Sequence, residues 1–267
     1  MGRAVVKPGK TLVPGYDVVA HLHQSNHYDV YEAWSEERAC RCIAKVLRQD
    51  EVGDRTSRRT LIREGRLLEN LTHPHIARAY EVIENPKTAL ILETLTGETL
   101  SYLIDESYRR LSVKNIAFLG LHLCSAIHYL HRQDILHLDL KPTNIVSERG
   151  LAKVLDLSVA RAPGQCHAGV GTRNYMSPEQ ARGGVLGPAA DVWGIGAVLF
   201  EATTGEVPFD GEDEDHYEQL ERPIEPIREY RRTTAAFANL IESCLEPEPE
   251  RRPTVDRLAG ELTPFSQ

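Results

Sequence analysis

The chain has 267 residues, of which 41% are apolar and 26% are charged. This balance is ordinary for a soluble globular protein and excludes an intrinsically disordered chain. Lys and Arg number 31 against 39 Asp and Glu, a formal net charge of −8, so we expect no general affinity for nucleic acid or for anionic lipid. Because no signal peptide and no apolar run of about 18 residues is found, the sequence predicts a cytoplasmic protein without a membrane span in this chain.

The N-terminal third is predicted to be rich in β-structure. Residues 1 to 11 are interpreted as a loose tail. Alternating apolar residues separated by turn-prone stretches then predict an antiparallel meander. Its predicted strands are Tyr16–Leu22, Tyr31–Trp34 and Cys40–Leu47. Cys40 and Cys42 fall on one face of the last strand, and packing of reduced thiols is favoured there over a disulfide or a zinc site.

A helix follows the meander. Leu61, Leu68 and Leu71 recur at helical spacing and predict an amphipathic helix from Thr56 to Leu71. Glu64 lies on its apolar face, and no cation stands one turn away on the same helix. Lys45 is one candidate partner, since an unpaired buried carboxylate is costly. The alternative is a Glu64 side chain that reaches solvent.

The rest of the chain is predicted to be mainly helical. Residues 89 to 92 form a short buried strand, and the polar residues 96 to 99 mark the boundary between two lobes, 12–95 and 96–267. Apolar residues from Ile116 to Leu130 stripe a long helix, and the segment that begins at Asp191 is apolar nearly all round, which is typical of a buried helix. Residues 211 to 215, GEDED, are interpreted as a solvated loop without an assigned function.

Residues 137 to 144, HLDLKPTN, carry an acid, a lysine and an amide within a few positions, and a predicted hairpin follows. The hairpin would bring Asn144 and Asp156 to the same end, where their oxygens suit Mg²⁺. Asp139 can accept a proton from a hydroxyl group, and Lys141 can offset charge on a transferring phosphoryl group.

Together with GTRNYMSPEQ at 171 to 180 and PERRPT around Arg252, these residues resemble the Hanks-type Ser/Thr protein kinases, most closely the bacterial branch. The resemblance covers roughly residues 12 to 260. It implies an α+β, bilobal protein-kinase-like fold with a five-stranded antiparallel sheet and one helix in the N-lobe and a mainly helical C-lobe. It also implies transfer of the ATP γ-phosphate, with Mg²⁺, to Ser or Thr of a protein substrate.

The resemblance implies a role for each matching residue. Lys45 corresponds to the lysine that holds the α and β phosphates, Glu64 to its helix partner, and Asp139 to the catalytic base. The other residues implied in catalysis are Lys141 and Thr172, and the implied metal ligands are Asn144 and Asp156. The other nucleotide-binding residues are Leu22, Val30, Ile43, Leu92, Glu93, Leu95 and Val146, with the backbone of Glu93 and Leu95 at the adenine. The residues with an implied structural role are His137, Glu179, Asp191 and Arg252.

The nucleotide loop departs from the family pattern. The three glycine positions are occupied by His23, Ser25 and Tyr28, so we expect the loop to hold phosphate less closely and nucleotide affinity to fall. Ile43 stands where the family keeps a small alanine above the adenine, which should lower the roof of the pocket. The loop histidines are interpreted as exposed side chains rather than as phosphate or metal ligands.

The activation segment departs as well. Leu138 replaces the arginine that receives an activating phosphate, and residues 159 to 171 contain no Ser, Thr or Tyr. We therefore hypothesise that phosphorylation of this segment is not a switch. Ser158 replaces the glycine after Asp156 and should restrict the movement of that carboxylate. Cys166 and His167 are interpreted as residues of a mobile loop rather than of a redox or metal switch.

Three functions remain open from sequence. A Ser/Thr protein kinase is favoured because the groups that position phosphate, metal and hydroxyl are present. A pseudokinase that binds a nucleotide or a partner as a scaffold is the alternative, supported by the lost glycines and Ile43. A small-molecule phosphotransferase is disfavoured by Lys141 and the 171 to 180 segment. The sequence carries no indication of oligomeric state.

Overall fold

The computed structural model describes residues 5–48, 54–106, 110–210 and 216–267, so the GEDED segment lies outside the described residues. The chain divides into two compact units. The first contains Met1–Thr96 and Asp156–Ser158, and the second contains Gly97–Leu155 and Val159–Gln267. Residues 156–158, which were predicted to belong to the second lobe, therefore pack with the first unit.

The first unit contains one antiparallel sheet of six strands in the order β1-β2-β3-β4-β6-β5. The strands are β1 (Thr11–Val13), β2 (Tyr16–Gln24), β3 (Tyr28–Ser35), β4 (Cys40–Leu47), β5 (Ala79–Ile83) and β6 (Ala89–Glu93). The predicted count of five was wrong because β1 adds a short edge strand. It pairs with β2, and the Gly9 amide donates a hydrogen bond to the Val18 carbonyl at 2.8 Å, so the described end of the predicted tail is ordered against the sheet.

The side chains of strand β4 alternate between the two faces of the sheet. Cys42, Ala44 and Val46 are buried in the core of the sheet, whereas Ile43 and Lys45 point to the opposite face and are half-buried. The structure therefore confirms that Ile43 and Lys45 share one face of this strand.

Helix α1 (Arg55–Glu69) packs on β5 and β6. It begins at Asp54, whose carboxylate accepts hydrogen bonds from the amides of Thr56 and Ser57 at 2.9 and 3.1 Å and so satisfies two amides that lack a helical partner. Gly65 faces β5, and a Cβ atom at that position would overlap a methyl group of Val82. The absence of a side chain therefore allows α1 to lie close to the sheet.

The second unit is built on helices. They are α2 (Leu100–Asp105), α3 (Val113–His131), α4 (Pro178–Arg182), α5 (Pro188–Thr204), α6 (Ile227–Tyr230), α7 (Ala235–Cys244) and α8 (Val255–Leu262). As predicted, the helix that contains Asp191 is buried along nearly its whole length and packs against α3 and α7. Among the described residues, no helix is long and apolar enough to cross a membrane.

Five short strands are found among the residues of the second unit that the structure describes. They are β7 (Glu98–Thr99), β8 (Ile145–Glu148), β9 (Leu151–Val154), β10 (Gly164–Cys166) and β11 (Gly184–Leu186). The predicted hairpin is β8–β9, with Ile145 opposite Val154. Strands β10 and β11 pair with each other, so the prediction of a mobile loop at Cys166 was wrong, because this residue is buried in a strand opposite Gly184.

Candidate active site

Lys45 and Glu64 form an ion pair inside the first unit. The Lys45 Nζ atom lies 2.9 and 3.2 Å from the two Glu64 carboxylate oxygens. Glu64 is 1% exposed, so the alternative of a solvent-directed glutamate is wrong. Burial raises the pKa of Glu64, and the Lys45 ammonium opposes this shift. Burial lowers the pKa of Lys45, but Glu64 and Asp156 together raise it above its ordinary value, so the lysine stays charged.

Asp156 joins this pair. One of its carboxylate oxygens lies 3.5 Å from Lys45 Nζ, and the other accepts a hydrogen bond from the Ser158 amide at 2.9 Å. The Asp156 backbone is left-handed, with φ of 59°, a conformation that is uncommon for a residue with a side chain. Arg63 of α1 donates to the Ser158 carbonyl, which further fixes the turn. The first unit thus brings together Lys45, Glu64 and Asp156.

The loop without glycine is a closed hairpin. The pairing of β2 and β3 continues to Gln24 opposite Asp29, and the Ser25 amide donates to the Tyr28 carbonyl at 2.8 Å. Arg48, which directly follows β4, holds the tip, because its amide donates to the His27 carbonyl at 2.9 Å and its guanidinium donates to the Ser25 carbonyl at 3.0 Å. The His21 imidazole lies 3.0 Å from an Asp29 carboxylate oxygen, so this predicted exposed histidine has a partner in the hairpin. The tip is fixed by hydrogen bonds to its own sheet.

The other predicted nucleotide-binding residues are distributed over both units. In the first unit, Val30 is paired with Lys45 and Leu92 with Ile43 across neighbouring strands. The remaining residues with this predicted role are Leu22, which is 54% exposed, Glu93 and Leu95, which are half-buried, and Val146 of the second unit, which is 6% exposed. Their contact with a base remains a prediction.

Asp139 is the centre of a hydrogen-bonded cluster in the second unit. Thr172 Oγ1 donates to one carboxylate oxygen at 2.6 Å. Lys141 Nζ lies 3.0 Å from the other oxygen and donates to Thr172 Oγ1 at 2.7 Å. Asn144 Nδ2 donates to the Asp139 carboxylate and to its carbonyl, each at 3.1 Å. Three polar side chains therefore orient one carboxylate, as expected for a group that must accept a proton in a defined direction.

Asp191 holds the segment that carries Asp139. Although it is 1% exposed, its carboxylate accepts hydrogen bonds from the amides of His137 and Leu138 at 2.9 and 2.8 Å. His131, which sequence reasoning missed, lies with Nε2 at 2.8 Å from the same carboxylate. The His137 ring in turn contacts the Asp139 amide and the Leu155 carbonyl at 3.2 and 3.3 Å. The buried helix α5 therefore fixes the backbone before Asp139.

Glu179 and Arg252 form a bidentate pair. The guanidinium nitrogens lie 2.6 and 2.9 Å from the two carboxylate oxygens, and the Arg252 side chain is fully buried. Arg252 also stacks on Trp193 at 4.9 Å and donates to three backbone carbonyls. The pair anchors the segment after Thr172 to the helical core.

Leu138 lies in an apolar cluster. It packs with Leu136, Cys166, Leu186 and Ala190, all of which are buried. Gln180 Nε2 donates to the carbonyls of Leu138 and Val170 at 2.8 and 2.7 Å, a connection that no motif had indicated. Apolar packing and hydrogen bonds thus hold the segment around Cys166, where the family pattern would place a phosphate beside an arginine.

Asn144 and Asp156, the predicted magnesium ligands, lie in different units, and each has an oxygen of the type that magnesium prefers. Asn144 donates its amide hydrogens to Asp139, which leaves its amide oxygen for a cation, and Asp156 has a carboxylate. That both bind one ion remains a prediction. Mg²⁺ binds through one or two protein oxygens completed by water and substrate phosphates. Within the part of the chain that the structure describes, no group of three or more His, Cys, Asp or Glu side chains forms a metal cage. A site of this kind is therefore expected to need a nucleotide as well.

Comparison with known proteins agrees with this geometry. Residues 16–261 match the protein kinase domain family. The chain belongs to the protein kinase family. This confirms the predicted α+β kinase fold and the resemblance to bacterial Hanks-type kinases.

The kinase domain has several bacterial relatives. It is 32% identical to Serine/threonine-protein kinase PknB of Mycobacterium tuberculosis over 224 residues, which cover 78% of this chain and 36% of PknB. Serine/threonine-protein kinase PrkC of Bacillus subtilis is 32% identical over 211 residues, with coverage of 76% and 32%. The chain therefore spans about a third of the length of these relatives.

Proposed function

We propose that this kinase domain transfers the γ-phosphoryl group of ATP, with Mg²⁺, to Ser or Thr of a protein substrate. The observation that carries the proposal is the orientation of the Asp139 carboxylate by Thr172, Lys141 and Asn144. A scaffold that only binds a partner has no need of an aligned proton acceptor. The names of the relatives, all serine/threonine-protein kinases, support the choice of acceptor.

In this proposal each cluster has its own task. Lys45, held by Glu64, binds the phosphates of ATP, while Asp139 receives the proton of the substrate hydroxyl and Lys141 stabilises charge on the transferring group. Asn144 and Asp156 hold Mg²⁺, which neutralises phosphate charge when it is bound. Because both clusters must face one nucleotide for transfer, their convergence is part of the proposal.

We also propose that nucleotide binding is weak and that phosphorylation of residues 159 to 171 is not a switch. Ile43 shares its face of β4 with Lys45, and methyl groups beyond those of alanine in a tight site cost about 1 to 3 kcal/mol. Leu138 itself supplies no cation to a phosphate, and the Arg161 guanidinium beside this apolar cluster already donates to Cys166 Sγ at 2.6 Å. We expect the domain to act in the cytoplasm without a nucleic-acid partner.

The proposal is tested by nucleotide binding and phosphoryl transfer measured side by side. We expect Mg²⁺·ATP to raise the melting temperature of the wild type and of Asp139→Asn, because this substitution keeps the fold and the Lys45 pair. Transfer of radiolabel to a protein substrate should fall by about 10²-fold or more in the variant, since it lacks the proton acceptor. Equal transfer by the two proteins would contradict the role of Asp139.

The pseudokinase alternative is favoured by one observation, the hairpin tip fixed to its own sheet where a mobile glycine loop is expected. Binding of Mg²⁺·ATP without transfer by the wild type would support this alternative. No response to nucleotide in either measurement would point to a role without ATP.

A further inference from the structure

Tyr28 occupies the third glycine position of the loop and turns its side chain toward Lys45. It begins strand β3 opposite Leu47, while Val30 is opposite Lys45. Tyr28 and Lys45 are therefore diagonal neighbours on one face of the sheet, within reach of an aromatic ring and a long side chain. The Lys45 Nζ atom lies 4.9 Å from the centre of the Tyr28 ring, a distance typical of a cation–π contact.

The hydroxyl of Tyr28 reaches helix α1. It donates a hydrogen bond to the Ser57 carbonyl at 3.0 Å, and Ser57 is 6% exposed in the first turn of the helix. Burial raises the pKa of Tyr28, with Lys45 opposing the shift, so the hydroxyl remains protonated and can donate at neutral pH. One side chain thus contacts both the lysine of β4 and the helix that carries its glutamate partner.

These contacts form a closed cycle. Tyr28 touches Lys45, Lys45 pairs with Glu64, and α1 connects Glu64 to Ser57, which binds Tyr28. A glycine at position 28 would supply neither the ring nor the hydroxyl. The hairpin tip, fixed by Ser25 and Arg48, holds the tyrosine in this position.

We propose that Tyr28 is a positioning residue that keeps Lys45 covered and paired with Glu64 before any nucleotide binds. This inference rests on the proposed function, because it assigns the pair to phosphate binding. Tyr28 replaces a glycine that would make the loop more mobile, and its side chain makes a fixed contact with Lys45. The phosphate-binding lysine is therefore preorganised at the expense of a loop that could close over the nucleotide.

The test measures the reactivity of Lys45 in the protein without nucleotide. Acetic anhydride is added, and the acetylation rate of Lys45 is followed by mass spectrometry against that of Lys114, which is exposed on α3. We expect Tyr28→Leu to raise the Lys45 rate by about two- to fivefold, the change that corresponds to a modest cation–π contact. Tyr28→Phe keeps the ring and should raise the rate by less than about twofold.

Tyr31→Phe is the matched control. It removes a hydroxyl from the same strand, and this hydroxyl accepts a hydrogen bond from the Val6 amide rather than contacting α1. The Lys45 rate should not change in this variant. Equal rates in Tyr28→Leu and Tyr31→Phe would overturn the proposal.

Two further measurements keep the test decisive. If Tyr28→Leu does not fold, hydrogen exchange in residues 55–61 of α1 should be faster in Tyr28→Phe than in Tyr31→Phe, and equal exchange would count against the Ser57 contact. In folded Tyr28→Gly, tighter ATP binding by calorimetry would overturn the proposal, because it would make Tyr28 an obstruction. Since Lys45 labelling needs no ATP, absence of transfer in every variant would reject the proposed function and leave the labelling result standing.

Discussion

Arg252 and Arg257 each pair with a glutamate, but in opposite surroundings. The Arg252 side chain is fully buried beside Glu179, whereas the Arg257 side chain is 70% exposed beside Glu261 at 2.7 Å. A surface pair is screened by water, but removal of one partner of a buried pair leaves polar groups unsatisfied. Although the two pairs have similarly short contacts, only the buried pair should matter for stability.

We expect Arg252→Met to lower the free energy of unfolding by about 3 to 5 kcal/mol, because Glu179 and three carbonyls lose their donor. Arg257→Met is the matched control and should unfold at nearly the wild-type urea concentration. Urea unfolding followed by circular dichroism measures both variants. Equal losses would contradict the role given to burial.

The segment between β9 and α4 is fixed by elements that the sequence did not reveal. Strands β10 and β11 have three residues each, so their periodicity was too short to be recognised. In contrast, β4 was predicted with its observed bounds, since its eight residues are mostly apolar and turn-prone stretches flank them. The sequence also showed that Leu138 replaces an arginine of the family pattern. The apolar cluster that surrounds Leu138 could not be predicted, because its members are distant in the chain.

Restoring the family arginine at position 138 should therefore destabilise the apolar cluster around Leu138. We expect Leu138→Arg to destabilise the protein by more than about 2 kcal/mol, because the guanidinium would enter a site that is 4% exposed and lined by apolar side chains. Leu151→Arg, at a position 45% exposed, should change stability by less than about 0.5 kcal/mol. Thermal unfolding compares the two. A stable Leu138→Arg protein would mean that the cluster has room for a charge.

Over the whole molecule, the sequence indicated candidate residues better than it indicated their contacts. The motif order pointed to Lys45, Glu64, Asp139 and Asp191, whose roles in catalysis remain predictions, because each residue type is expected at its spacing. The partners His131, Gln180 and Tyr28 were missed, since their roles depend on which surfaces meet after folding. From the sequence, the three glycine positions of the loop were interpreted only as a loss of glycine. The contacts of the Tyr28 side chain are seen only in the structure.

The five cysteines are free in both units, as predicted. Burial raises the pKa of Cys42 to about 11 and that of Cys124 to about 12, and it raises the pKa of Cys244. In the native protein at pH 7.5 these thiols should not react with a disulfide reagent, whereas all five should react in guanidinium. Rapid labelling of Cys124 in the native protein would contradict this expectation.

The same shifts predict how stability depends on pH. The unfolded chain releases these thiol protons near pH 9, while the folded protein retains that of Cys42 to about pH 11. The contribution of these buried thiols to the free energy of unfolding is complete below pH 9. It is lost as the pH rises through the pKa values of the thiols in the folded protein. Urea unfolding at pH 8 and pH 10.5 should therefore show lower stability at the higher pH, with a smaller difference in Cys124→Ala.

Gly65 makes the spacing between α1 and the sheet depend on a single hydrogen atom. A Cβ atom there would overlap a methyl group of Val82, so either Val82 or the helix must shift, and we expect Glu64, the neighbour of Gly65, to move relative to Lys45. A chain with alanine at this position would retain every kinase motif in its sequence. We nevertheless expect the added methyl group to weaken the Lys45–Glu64 pair from a position that no motif includes.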